Sequence, residues 1–149
     1  MVDVHSPAIR SKNMAAIRGK DTRPEVLLRR ALHAEGLRYR LHVGSLPGRP
    51  DIVLPGKKSV VFVHGCFFHG HACPSFKWPA SNAQFWRSKI EGNKARDLRN
   101  IAALRADGWR VFVVWECELR GTAPRERARR LAKRLASAIG ASKRQRLVL

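Results

Sequence analysis

The sequence has few acidic residues and no long apolar run. Of its 149 residues, 11 are Asp or Glu and 30 are Lys or Arg, which gives a formal net charge of +19 at pH 7. A positive charge this large is unusual for a cytosolic enzyme that acts on small metabolites. It indicates a polyanionic partner, and nucleic acid is the first candidate. No stretch reaches the roughly 18 consecutive apolar residues of a membrane span, and residues 1–14 lack the apolar centre of a signal peptide. We therefore expect a soluble, cytoplasmic protein without a membrane partner.

The sequence also has no internal repeat and no Ser/Gly-rich linker, so its length predicts one domain. We expect a basic N-terminal segment over 1–21 that contacts DNA, a single domain over 22–140, and a basic, flexible tail over 141–149. From Arg120 onward, ten Lys or Arg stand against one acid, Glu126, which leaves a local charge of +9. A charge run of this kind is usually a solvated helix face, but part of it is expected to contact phosphates without reading bases.

Hydrophobic periodicity predicts the element order α-β-β-β-α-β-α, that is, an α/β protein with a mixed sheet and helices on its faces. Capping signals and turn residues set the approximate limits of the elements. They are a helix over 23–35 behind the capping box Thr22–Glu25, a strand over 37–43, a hairpin of 51–54 and 59–64, a helix from the Ser81–Gln84 cap to Gly108, an apolar strand over 109–115 and a basic helix over 124–139.

Cysteine is scarce, and all three cysteines fall into one pattern. Cys66 and Cys73 share a short loop with His71, and Cys117 follows the last predicted strand. Three thiolates and one imidazole complete the tetrahedral shell of a structural zinc ion and leave no position open for catalysis. The alternatives are three buried free thiols or a disulfide with one spare thiol, and a disulfide is disfavoured inside a cell.

Asp51 stands at the head of an apolar strand, where a carboxylate is unfavourable unless it binds something. Across the hairpin it faces residues 61–63, so its carboxylate and a backbone carbonyl there could share a hard cation such as Mg²⁺. His64 and His69 lie at the same end of the sheet, where an imidazole could take a proton from water, and Asp97 could orient it. Each residue alone has an ordinary structural explanation. Together they predict a metal-assisted hydrolytic site for a phosphodiester.

Phe67 and Phe68 follow one another in a polar loop. Two interpretations remain open. The rings pack in a small hydrophobic cluster beside the core, or they insert between bases as wedges, as in some DNA-bending proteins. Met14, in the basic N-terminal segment, poses the same choice, with helix packing the simpler reading.

Several segments together resemble the very-short-patch-repair (Vsr) family of bacterial DNA mismatch endonucleases, from about Val2 to Gly121. They are Ser11–Met14, Ser45–Asp51, His64–Phe67, Phe76–Lys77, Phe85–Trp86, Gly108–Val111 and Val114–Cys117. The resemblance implies a restriction-endonuclease-like fold of the PD-(D/E)XK type, with an αβββαβ core, a catalytic Mg²⁺ and a structural Zn²⁺. It implies a DNA-associated bacterial enzyme that binds double-stranded DNA at a T:G mismatch left by deamination of 5-methylcytosine. The enzyme would nick the strand 5′ to the T and so initiate very short patch repair, as a monomer and with possible repair-protein partners.

The resemblance also implies roles for individual residues of the catalytic site. Asp51 matches the Mg²⁺-binding acid, and Val63 falls where a backbone carbonyl completes the metal site. His69 matches the general base, with Asp97 as its partner. Further matches are His64, as a second imidazole, and Glu25, as an acid that supports the metal-bound waters.

For the zinc site and the mismatch contact, the resemblance agrees with the patterns above. Cys66, His71, Cys73 and Cys117 match the zinc ligands. Met14, Phe67 and Phe68 match the residues that wedge beside the mismatch, with Phe68 in place of a Trp.

Two other functions fit part of the sequence. A zinc-stabilised DNA-binding module without catalytic activity would account for the charge, the cysteines and the aromatic residues. It would assign no function to Asp51, His69 and Asp97. A nuclease of the same fold that cuts another lesion or an unmodified site fits all of these features.

Overall fold

The structure is a computed structural model that describes residues 21–74 and 76–148, with side chains described as far as Gly140. Within these described residues it has a four-stranded mixed sheet and three helices, as the sequence predicts. In chain order the helices and strands are α1 (Arg23–Ala34), β1 (Arg40–Leu41), β2 (Ile52–Leu54), β3 (Ser59–His64), α2 (Ala83–Ala106), β4 (Arg110–Trp115) and α3 (Pro124–Val148). Met14 and the rest of 1–20 lie outside the described residues.

The sheet order is β1-β2-β3-β4, antiparallel except for the parallel pair β3–β4. Ile52 pairs with Val61 and Leu54 with Ser59, so the hairpin lies in the predicted region, and its turn is a short 3₁₀ helix over Pro55–Lys57. The parallel pair needs a crossover connection, which α2 supplies.

Helices cover both faces of the sheet. On one face, α1 and α3 pack on alternate strand residues; this cluster includes Leu28, Leu32, Ile52, Val61 and Val114. On the other face, Leu104 of α2 packs with residues that point the opposite way, among them Val53, Val60 and Phe62. The pleat places neighbouring residues in different clusters, as period-2 alternation requires. β4 contributes to both clusters, as its apolar sequence predicts.

The strand predicted over 37–43 is shorter than expected. Only Arg40–Leu41 pair with β2, and His42 has a left-handed backbone with φ of 49°. That conformation ends the extended chain. As a result, Tyr39 packs against the α1/α3 cluster and Val43 against the α2 cluster, although both were predicted on one face.

Two helix ends also differ from the prediction. Asn82 occupies the N-cap position of α2 in a left-handed conformation and makes no side-chain capping bond. α3 continues to Val148 instead of ending near Ile139. The Arg110 guanidinium donates to the carbonyls of Ala138 and Ile139 at 2.9 and 2.8 Å, which anchors α3 to β4.

Candidate active site

A cleft of about 620 Å³ opens at the end of the sheet where β3 finishes. β3, the loop that precedes β2, and α2 all contribute to its walls. The lining residues are Leu41, His42, Gly48, Arg49, Asp51, Phe62, Val63, His64, His69, Asp97, Asn100 and Ile101. The cleft therefore brings together five of the residues predicted for the catalytic site: Asp51, Val63, His64, His69 and Asp97.

Asp51 is held by the neighbouring strand. Its Oδ2 accepts the Val63 N–H at 2.7 Å, which puts the carboxylate beside the residue whose carbonyl is predicted to bind the metal. Burial raises the pKa of Asp51, and the Val63 N–H opposes that rise. Among the described residues, no Lys or Arg forms an ion pair with this carboxylate. A partly buried carboxylate with no Lys or Arg partner among the described residues is a chemically suitable place for a hard cation.

His69 and Asp97 form a close pair across the cleft. His69 Nδ1 lies 2.6 Å from Asp97 Oδ2, although the residues are 28 positions apart and come from a loop and from α2. An ionised carboxylate only accepts hydrogen bonds, so Nδ1 carries the hydrogen and Nε2 is left as the proton acceptor.

His64 stacks on His69 with a ring-centroid distance of 3.9 Å and an interplanar angle of 1°. It is 7% exposed. Burial and the nearby His69 lower the pKa of His64 to about 4. His64 is therefore a neutral ring at pH 7, and its packing fixes the plane of His69.

Glu25 lies outside the cleft lining, in a cluster of charged side chains that adjoins Asp51. It is 2% exposed, and its Oε1 lies 2.8 Å from His42 Nε2 without the angles of a hydrogen bond. On its other side, His42 Nδ1 is 3.9 Å from Asp51 Oδ1. Burial and the charge of Asp51 raise the pKa of Glu25, while His42 and Arg29 lower it. Glu25 is thus connected to Asp51 through His42, a residue that the sequence analysis missed because histidine outside a motif carries no local signal.

Arg29 and Asp21 complete this cluster. Arg29 Nη1 lies 2.6 Å from Asp21 Oδ1 and 3.6 Å from Glu25 Oε1. The hydrogen bond from Arg29 lowers the pKa of Asp21. Asp21, Glu25 and His42 could together offer ligands to a cation, but Arg29 already supplies positive charge there.

The predicted zinc ligands meet in a second cluster, next to the cleft. One ligand atom from each of Cys66, His71, Cys73 and Cys117 lies within 4.8 Å of the others, and no disulfide joins the three cysteines. Burial raises the pKa of Cys66 to about 12 and also raises the pKa of Cys117. Three thiols that converge with an imidazole could hold a metal ion, and this donor set suits zinc. The disulfide alternative does not hold.

Trp115 connects the two clusters, and sequence reasoning gave it no role. Its ring stacks on His71 at 4.1 Å and meets His64 edge-on at 5.3 Å. Glu116, the next residue, accepts the Cys66 N–H at 3.1 Å and pairs with Arg120 at 3.1 Å. The end of β4 therefore positions both the cysteine cluster and the histidine pair.

Phe67 and Phe68 are half-buried and pack with Trp86 at the start of α2. Phe67 lies 5.2 Å from Phe68 and 5.2 Å from Trp86, in each case between ring centroids. Asn93 donates to the Phe68 carbonyl at 2.8 Å and fixes the loop to α2. The two rings thus have both core contacts and exposed surface, which fits either reading of the sequence. Within the described part of the chain, no helix is long and apolar enough to cross a membrane.

A His/Asp pair beside a partly buried carboxylate, in a cleft of a basic α/β protein, is a set of groups suited to hydrolytic enzymes. Residues 2–75 match the family model described as DNA mismatch endonuclease Vsr. The chain is 54% identical over 119 residues to the type II nicking enzyme V.XorIIP of Xanthomonas oryzae pv. oryzae. This alignment covers 80% of this chain and 88% of that protein. It is 51% identical over 121 residues to DNA mismatch endonuclease Vsr of Escherichia coli, covering 81% of this chain and 78% of that protein. It is 45% identical over 140 residues to the type II nicking enzyme V.NmeAIP of Neisseria meningitidis, covering 93% and 100%.

The chain belongs to the Vsr family of DNA mismatch endonucleases. This membership confirms the family resemblance found in the sequence.

Proposed function

We propose that this protein is a Mg²⁺-dependent endonuclease that nicks double-stranded DNA 5′ to the T of a T:G mismatch and so initiates very short patch repair. The proposed catalytic activity is supported above all by the 2.6 Å contact between His69 and Asp97, in the cleft that Asp51 also lines. Family membership supports DNA as the substrate, and the net charge of +19 suits a phosphate backbone. We further propose that the mixed sheet and its helices are a restriction-endonuclease-like core and that the enzyme acts as a cytoplasmic monomer.

Each residue of the cleft has a role in this proposal. His69 takes the proton of the attacking water on Nε2, while Asp97 keeps the hydrogen on Nδ1 and stabilises the imidazolium that forms. His64 remains neutral and holds the His69 ring by stacking. Glu25, through His42, maintains the carboxylate environment of Asp51 and supports metal-bound water.

Asp51 and the Val63 carbonyl would hold the Mg²⁺ ion. When bound, Mg²⁺ supplies Lewis-acid stabilisation of charge on the scissile phosphate and on the leaving 3′ oxygen. The products would be a 5′-phosphate and a 3′-hydroxyl.

Selectivity for the mismatch would come from the ease with which the DNA deforms at a T:G pair. A T:G wobble pair unstacks more easily than a Watson–Crick pair, so aromatic wedges enter there at lower free-energy cost. Phe67 and Phe68 are proposed as these wedges, together with Met14 from the segment outside the described residues. Zn²⁺ in the Cys66/His71/Cys73/Cys117 cluster would keep the wedge loop folded.

The test compares two duplexes that differ at one base. With Mg²⁺, a T:G duplex labelled on the T strand should give one nicked product, and its T:A counterpart should not. Equal cutting of both duplexes would indicate a same-fold nuclease with another target. Binding without any cutting would indicate the non-catalytic DNA-binding module.

Metal dependence is tested separately on supercoiled plasmid that carries the mismatch. Conversion to the nicked form should require added Mg²⁺. Nicking at the same rate without Mg²⁺ would rule out the proposed role of Asp51 and Val63.

A further inference from the structure

Arg49 gives the cleft its positive charge. Of the described residues that line the cleft, it alone is a Lys or Arg, while Asp51 and Asp97 contribute negative charge. Arg49 is exposed, and among the described residues its guanidinium has no ion pair with an acid. An unneutralised guanidinium in an acid-containing cleft is suited to bind an anionic part of the substrate.

The loop that carries Arg49 is fixed on both sides. Leu46 packs in the α2 cluster, and Pro50 is buried. A Cβ built on Gly44 would lie 3.7 Å from both Nε and Nη2 of Arg49, so the guanidinium folds back over its own loop. Arg49 itself has a left-handed backbone with φ of 49°. Non-glycine residues seldom adopt this conformation, and where they do it often marks a functional position.

Asn100 approaches the same loop from α2. A Cβ built on Gly48, whose φ is +76°, would lie 3.0 Å from the Asn100 Cβ, so only glycine lets the loop come this close. Asn100 is three residues after Asp97 and therefore lies on the same helix face, where it lines the cleft. The loop and α2 thus place a guanidinium and an amide on the cleft wall, and both can donate hydrogen bonds to phosphate oxygens.

We propose that Arg49 and Asn100 form a phosphate-binding subsite for a DNA phosphate that flanks the scissile one. The inference rests on the proposed function, since it assigns a part of the DNA backbone to this wall of the same cleft. Arg49 and Asn100 act here as positioning residues, which set the register of the strand relative to His69. They do not discriminate between bases, because phosphate contacts carry no sequence information.

The experiment pairs Arg49→Gln with T:G duplexes in which one phosphate near the nick is replaced by an uncharged methylphosphonate. Binding is measured over a range of salt concentrations, with no Mg²⁺ added, and nicking is measured with Mg²⁺. On the unmodified duplex, Arg49→Gln should bind on the order of tenfold more weakly. The slope of log affinity against log salt should fall in magnitude by about 0.9, the value for one lost phosphate contact. Asn100→Ala should weaken binding with little change in that slope, because the amide is neutral.

One methylphosphonate position should weaken binding of the wild type and leave Arg49→Gln unchanged, which identifies the contacted phosphate. Arg49→Lys should restore the salt slope but only part of the affinity, because an ammonium lacks the guanidinium fork. Arg105→Gln is the matched control, since Arg105 is an exposed Arg in the last turn of α2, away from the cleft. It should behave as the wild type in the methylphosphonate series.

Two results would overturn the subsite: an unchanged salt slope in Arg49→Gln, or equal losses for the variant and the wild type at every methylphosphonate position. A wild-type protein that binds the T:G duplex but does not nick it would instead contradict the proposed function. The binding series would still decide whether Arg49 contacts a phosphate. A melting curve for Arg49→Gln that matches the wild type verifies that its losses are not due to misfolding.

Discussion

Asp97 holds His69 in a single tautomer: its Oδ2 lies 2.6 Å from His69 Nδ1, and the stacked ring of His64 prevents the imidazole from turning. This contact joins the loop after β3 to the middle of α2. Both helix and loop must therefore be in place before His69 can act as the proposed general base.

Asp97→Asn should reduce the nicking rate by about 10²- to 10⁴-fold, the range associated with general acid–base catalysis. The amide can no longer stabilise a charged His69. His69→Ala should cause a similar loss, and the double variant should lose little more, because the two residues act as one unit. Single-turnover nicking of the T:G duplex measures all three. Asp107→Asn is the control, because Asp107 is an exposed acid at the far end of α2. If the losses of the two single variants add up in the double variant, His69 and Asp97 do not act as one unit.

Asp51→Asn should bind the T:G duplex normally and nick it about 10³-fold more slowly, because the metal-binding carboxylate is lost. Its thermal stability should be equal to or higher than that of the wild type. The amide oxygen can still accept the Val63 N–H, while the charge that is buried near Glu25 is removed. Filter binding, nicking and melting curves test the three parts. Wild-type nicking by this variant would refute the metal assignment.

Removal of zinc should unfold the loop that contains Phe67 and lower the melting temperature, because Cys66 and Cys117 lose the metal ion that joins them. Elemental analysis should find one zinc per chain, and Cys117→Ala should contain less. His71→Gln should also lose zinc, whereas His33→Gln, at an exposed position of α1, should not. A metal-free protein with an unchanged melting curve would contradict a structural metal.

Phe68→Ala should lower the preference for T:G over T:A by about 5- to 150-fold, if the ring contributes the roughly 1–3 kcal/mol typical of one aromatic–base stacking contact. Phe85→Ala is a suitable control. Phe85 is 57% exposed and touches Trp86 edge-on, but it lies outside the proposed wedge. Competition binding with the two duplexes gives the preference. If Phe68→Ala only lowers the melting temperature, the ring is core packing.

Truncation after Gly140 should weaken DNA binding and leave the T:G preference intact, because it removes Lys143, Arg144 and Arg146. The salt slope should fall in magnitude by roughly 1 to 3, depending on how many of these charges contact phosphates. The fold should remain, since Arg110 anchors α3 at Ala138 and Ile139, before the cut. A lost mismatch preference would mean that the removed segment also takes part in recognition.

The sequence by itself determined the order of the elements, the hairpin that brings Asp51 opposite residues 61–63, and the set of four residues that converge around Cys66. These features depend on signals carried by nearby residues: period-2 and period-3.6 apolar patterns, turn residues and the donor chemistry of thiols. Family membership followed from short motifs for the same reason.

Only the tertiary structure decided how Glu25 relates to the site, and it did so through His42. No local sequence signal marks the left-handed backbone of His42, yet this conformation ends β1 early and places the His42 ring between Glu25 and Asp51. The link that Trp115 makes between the cysteine cluster and the histidines depends on the parallel pairing of β3 with β4. Contacts of this kind join residues far apart in sequence and form only when the elements pack, so no local pattern can predict them.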